Sequence, residues 1–60
     1  MDEWLTGPEV GAWIRTPVET LRYWRSRGLG PKSAKFGRRV LYARTDVETW
    51  IATMRETSAR

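Results

Sequence analysis

TPVETLRYWRSRGLG, Thr16 to Gly30, reads as one helix with both of its ends marked. Thr16 and Glu19 have the capping-box spacing, in which the hydroxyl accepts the N3 amide proton and the carboxylate accepts the N-cap amide proton. Pro17 suits the first helical position, where a missing N–H is harmless, and Gly28 suits the left-handed residue just past a helix end. On a wheel of about 100° per residue with Val18 at zero, Leu21 and Trp24 share its side, and all three are expected to pack inward. Glu19, Tyr23, Ser26 and Arg27 then point away, and Thr20 and Arg22 lie on the two flanks. Arg25 falls near the buried side, so its stem is expected to cover the core while its head reaches water.

The same Thr-x-x-Glu tetrad occurs at Thr6 to Glu9 and at Thr45 to Glu48, each time ahead of an apolar pattern. Three helix starts are therefore predicted. The first helix runs from about Pro8 to Ile14 with Val10, Trp13 and Ile14 on its buried face. The third runs from about Asp46 to Arg55 and buries Val47, Trp50, Ile51 and Met54. Only about two residues separate the first helix from the second, a connection that reads as a helix-turn-helix. GLGPKSA, between Gly28 and Lys35, is a loop by its glycines and proline. In KFGRRVLYA, the strand formers Phe36, Val40 and Tyr42 flank Gly37-Arg38, a two-residue hairpin turn whose first central position takes positive φ. The fold class is mainly α with a small β-hairpin: a winged helix-turn-helix of three helices and a two-stranded wing. It forms one domain over 1–60, with 1–4 and 57–60 expected to fray.

A chain of 60 residues buries only about 60% of its unfolded surface, so its core depends on large side chains, here four tryptophans. With no cysteine and no histidine, disulfides, thiolate metal sites, the usual zinc ligand and the usual general base all drop out. No enzyme activity, cofactor or metal is expected. The chain has no apolar run long enough for a bilayer and no signal-peptide core, so the expected compartment is the cytoplasm, with no membrane partner.

Charge is unevenly spread. Arg22, Arg25, Arg27, Lys32, Lys35, Arg38, Arg39 and Arg44 fall in a segment with no acid, which carries +8 and leaves −4 on the rest of a chain whose net charge is +4. Such a split is the footprint of a polyanion-binding face, against the plainer reading of a solvated surface. Flanking Thr20 and Arg22 suit phosphates, while the exposed centre of the helix suits base edges. Glu19 has two readings, N3 member of its capping box or acceptor from a cytosine or adenine amino group. Tyr23 is either a DNA contact or half-buried packing. Arg22 and Arg27 either meet DNA or solvate the helix and its C-terminal dipole. Trp13, Trp24 and Trp50 belong to apolar faces and read as core, whereas Trp4 stays open between core and base stacking. Arg38 and Arg39 on a thin hairpin fit a minor groove, whose negative potential favours guanidinium groups.

From Leu5 to Ile51 the order LT..EV..WI, ETLRYWRSRGL, KFGRRVLY and TDVETWI resembles the excisionase family, the recombination directionality factors of phages and mobile elements. TLRYWRSRGL also resembles the DNA-binding head of MerR-type regulators, which share this topology. The excisionase resemblance implies a recognition helix in the major groove of double-stranded DNA, here bearing Glu19, Thr20, Arg22 and Tyr23, and a wing of Arg38 and Arg39 in an adjacent minor groove. Arg27 and Lys35 complete the expected contact set. The resemblance further implies cooperative binding beside neighbouring copies, DNA bending, a phage integrase as partner steered toward excision, and work at the nucleoid of a bacterial host cell.

Relatives often have a glycine and an apolar residue where Arg15 and Thr16 stand, and commonly alanine where Gly11 stands. MerR-type regulators continue into a long dimerising helix, where this chain has nine residues after Ile51. On that likeness it would be a bare DNA-binding regulator. A third reading is an adaptor whose basic face meets an acidic protein.

Overall fold

The computed structural model describes residues 3–58. In chain order they form β1 (Trp4–Thr6), α1 (Gly7–Ile14), α2 (Val18–Ser26), β2 (Ala34–Phe36), β3 (Arg39–Ala43) and α3 (Arg44–Ser58). The winged helix-turn-helix architecture is as expected, with one addition. β1 pairs antiparallel with β3 through Trp4↔Ala43, Leu5↔Tyr42 and Thr6↔Leu41, so the wing is two strands of a three-stranded sheet ordered β1-β3-β2. A three-residue strand that ends on a helix cap is too short to show a period of two. The expected fraying falls partly on residues 1–2 and 59–60, which lie outside the described residues. Trp4 belongs to β1, and Thr57 and Ser58 belong to α3.

Of the three capping tetrads, the first forms in full. Thr6 Oγ1 accepts from the Glu9 amide at 3.3 Å, and Glu9 Oε1 accepts from the Thr6 amide at 2.8 Å. The second does not form. Pro17 occupies the N-cap of α2 with extended backbone and no side-chain cap bond, while the Thr16 hydroxyl donates backward to the Ile14 carbonyl. The inter-helix turn displaces the cap by one residue, because Arg15 takes a left-handed φ of 57° and both Arg15 and Thr16 donate to the Gly11 carbonyl. The third tetrad falls inside α3, which begins at Arg44, and Glu48 bonds the Arg44 guanidinium.

The end of α2 follows its reading closely. Gly28 is left-handed, the Leu29 amide donates to the Trp24 carbonyl at 2.7 Å and the Gly28 amide to Arg25, the two bonds of a Schellman motif. The hairpin turn also forms as read, with positive φ at Gly37 and not at Arg38, the pattern of a II′ turn.

Val10, Leu21, Tyr42 and Val47 form the core, one residue from each of α1, α2, β3 and α3, and Leu5, Ile14, Trp24, Val40 and Ile51 pack around them. Trp24 and Trp50 meet with ring centroids 5.6 Å apart, tying α2 to α3. Two residues expected inside are not. Trp13 is 40% exposed, because the face of α1 that meets the core is set by Val10 and Ile14. Met54 is 39% exposed, because α3 outruns the body beyond Ile51 and has nothing left to pack on. Trp4 lies on the outer face of the sheet, edge-on to Phe36 at 5.1 Å.

Candidate nucleic-acid interface

The turn between α1 and α2 angles the second helix across the first and leaves one side of α2 in solvent. Glu19, Tyr23 and Ser26 occupy that side, and Tyr23 is 54% exposed, which removes the half-buried reading. The capping reading of Glu19 goes too, since its carboxylate makes no cap bond. Arg27 follows the last turn, its guanidinium 5.3 Å from the centroid of the Tyr23 ring, near enough for a cation–π contact that holds the two side chains together. Thr20 is half-buried on the flank away from Arg22.

The other flank of α2 faces the wing across a groove of about 490 Å³. Its exposed lining is Arg22 and Arg25 from α2 and Arg38 from the hairpin turn. Its deeper lining is Val18, Leu21, Val40 and Tyr42, with Gly7 and Pro8 closing one end. Val18 is therefore half-buried in this groove and not at the centre of the core face, which turns toward Leu21 and Trp24. Arg22 and Arg38, 16 positions apart in the chain, come together here.

The wing divides its charges between two faces. Strand alternation and the register Lys35↔Val40 put Lys35 on the groove side with Val40 and Tyr42. Arg39 pairs with Phe36 on the opposite face, so Arg38 and Arg39 do not act as one tip. Arg25 is the residue the wheel left between core and solvent. It is exposed, and the arrival of the wing, distant in sequence, places Arg38 across the groove from it. Its spacing of three from Arg22 was the available signal.

Arg44 leaves the basic set. Its guanidinium donates to Glu3 at 3.0 Å and to Glu48 at 3.2 Å, and these hydrogen bonds, that to Glu3 foremost, hold its pKa above the usual arginine value. The same group lies 5.9 Å from the Trp13 ring centroid, beside a separate cleft of about 200 Å³ lined by Glu3, Leu5, Glu9 and Trp13. Of the eight basic residues from Arg22 to Arg44, Arg44 is the one in an ion pair among the described residues, which leaves seven without a carboxylate partner. Uncompensated positive charge on one helix flank and one wing favours a polyanion.

A family model described as a helix-turn-helix domain matches residues 4–55. The chain belongs to the helix-turn-helix domain family. The match spans β1 through most of α3, so it takes in the groove and both faces of the wing. Comparison with curated proteins and with solved structures found no match. Membership supports DNA binding for this helix-turn-helix domain, and among its described residues no helix is long and apolar enough to cross a membrane.

Proposed function

We propose that this helix-turn-helix protein is a sequence-specific, DNA-bending architectural factor of the excisionase type. It turns integrase-mediated recombination toward excision. The observation that carries the DNA half of this reading is the free flank and face of α2 set beside a basic wing. Glu19 and Tyr23 meet base edges in the major groove, with Thr20 and Arg27 on the adjoining backbone. Arg38, Arg39 and Lys35 take the wing into the next minor groove, where guanidinium groups gain most from the negative potential. The excision half rests on the ordered resemblance from Leu5 to Ile51, and with it come an integrase partner and neighbouring copies on the same DNA.

A simple transcriptional regulator is the second reading, favoured by the TLRYWRSRGL stretch that now forms α2 and its Schellman end. A footprint across the DNA that flanks the gene separates the two. Protection at an attachment site is the expected result, and protection confined to a promoter transfers the protein to the regulators. Failure to bind any duplex at low salt would remove both and leave the adaptor reading.

A further inference from the structure

We propose that the groove between α2 and the wing is a seat for the sugar–phosphate backbone of one DNA strand, with Arg25 as a phosphate ligand and the Tyr42 hydroxyl at its floor. The inference deepens the DNA-binding reading and rests on it.

Three arginines line this groove, and among the described residues none of Arg22, Arg25 and Arg38 has a carboxylate within ion-pair distance. Three like charges around one concavity repel one another, and an anion between them converts that repulsion into attraction. The nearest acid in the chain to the groove's closed end, Glu9, is spent on the Thr6 amide and lines the other cleft. Beneath the arginines sits Tyr42, 2% exposed and in the groove lining. Its hydroxyl makes no hydrogen bond to any described residue and is not fully buried, which leaves it available to a ligand in the groove that Tyr42 lines. A phenol without a partner, in the same lining as three guanidinium groups, can donate its O–H to an oxyanion held there.

The form of the groove selects a polymer over a free ion. About 490 Å³ is far more than one phosphate group fills, and Val18, Leu21 and Val40 give it apolar walls suited to deoxyribose carbons. Position decides the rest. A protein that enters a major groove with a helix and the adjacent minor groove with a wing must straddle the strand that separates them, and here that strand meets Arg22 and Arg25 on one side and Arg38 on the other. Phosphates carry no sequence information, so this seat fixes register while the outer face of α2 reads bases.

The test combines single methylphosphonate substitutions, each of which removes one phosphate charge from a footprinted duplex, with Arg25→Ala, Arg25→Lys and Tyr42→Phe. For the parent protein, one or two positions between the helix and wing footprints should each weaken binding roughly tenfold when neutralised, the worth of one charge-assisted hydrogen bond. Arg25→Ala should lose a similar factor on unmodified duplex of any sequence, lower the salt slope by about 1 and lose nothing further at those positions. Arg25→Lys should recover part of the loss, and Tyr42→Phe should blunt sensitivity at the same phosphates. Arg55→Ala, a charge-matched control on exposed α3, should keep the parent's pattern. Circular dichroism should show every variant folded. The seat is overturned if folded Arg25→Ala binds as the parent does, or stays as sensitive as the parent at every phosphate, even though DNA binding itself stands. Inorganic phosphate at matched ionic strength should not displace the duplex, and displacement at millimolar phosphate would make this a free-anion site instead. A parent that binds no duplex defeats the inference together with the reading beneath it.

Discussion

A side-chain carbon on Gly11 would stand 2.6 Å from the backbone carbonyl oxygen of Thr16. That approach exists because the chain leaves α1 through left-handed Arg15 and folds straight back, with the Thr16 amide donating to the Gly11 carbonyl at 2.8 Å. The glycine is thus a condition of the turn and not a weak point of the helix.

Gly11→Ala is therefore predicted to destabilise the domain, against the gain of up to about 1 kcal/mol that alanine brings to a helix interior. Backbone must move to relieve the clash, at about 1 to 3 kcal/mol. In a domain this small each kcal/mol shifts the midpoint by about 4 to 8 °C, so a thermal melt decides the sign plainly. A melting temperature equal to or above the parent's would mean that the turn can open without loss.

The second prediction separates residues that hold the fold from residues that use it. Trp24 packs on Trp50 and against the backbone of Gly30, where an added carbon would come within 3.0 Å of the Trp24 ring. Trp24→Ala should cost about 3 to 5 kcal/mol, enough to unfold most of so small a domain. Trp13→Ala should cost less than half of that, since its side chain is 40% exposed and lies outside the core, against Arg44. Arg39→Ala, on the outer face of the wing, should melt like the parent and bind duplex DNA more weakly. Melts and titrations on the three variants check the ranking, and a Trp24→Ala protein as stable as the parent would contradict the assigned core.

These residues also show how much of the molecule was legible in its sequence. Gly28 and Gly37 announced the end of α2 and the hairpin because only a few residue types tolerate positive φ, so a local rule sufficed. The Thr-x-x-Glu tetrads marked all three helices to within one or two residues, but the capping box itself does not form at Thr16. Capping competes with whatever else the backbone is doing, and at Thr16 the inter-helix turn won. Helical spacing found Val10, Leu21 and Val47 but overcounted Trp13 and Met54, since a periodic face does not say how far the neighbouring element extends. On the site, the outward position of Glu19 and Tyr23 followed from the wheel alone. The meeting of Arg22, Arg25 and Arg38 did not, because it depends on where a hairpin distant in sequence comes to lie.

The third prediction concerns salt. Seven cationic residues without carboxylate partners are available for phosphate contacts, and each phosphate neutralised contributes about 0.9 to the slope of log affinity against log salt concentration. Arg44, already bound to Glu3 and Glu48, should contribute nothing, so Arg44→Ala should leave the slope unchanged while Arg38→Ala reduces it by about 1. Titrations between low and moderate salt measure this directly. A parent slope shallower than about −2 is incompatible with a helix and a wing both on DNA, and favours a protein partner for the basic face.

The fourth prediction concerns assembly on DNA. One helix and one wing cover about a turn of duplex, and each good bidentate base contact discriminates by only about 1 to 3 kcal/mol, too little for a lone domain to find its site against a genome. Selectivity must then come from neighbours on the DNA. If sites repeat in one direction, adjacent copies meet through unlike surfaces, an arrangement that does not close and can extend along the duplex. Bending should accompany it, as each copy draws the duplex around its basic groove at a cost of about 1 to 6 kcal/mol per twenty to thirty base pairs, offset by further phosphate contacts. The expected results are cooperative binding to closely spaced direct repeats, with a Hill slope above one in gel shifts, and curvature seen by circular permutation of the site. Independent binding to a single site on straight DNA would contradict the architectural role and move the protein to the simple regulators.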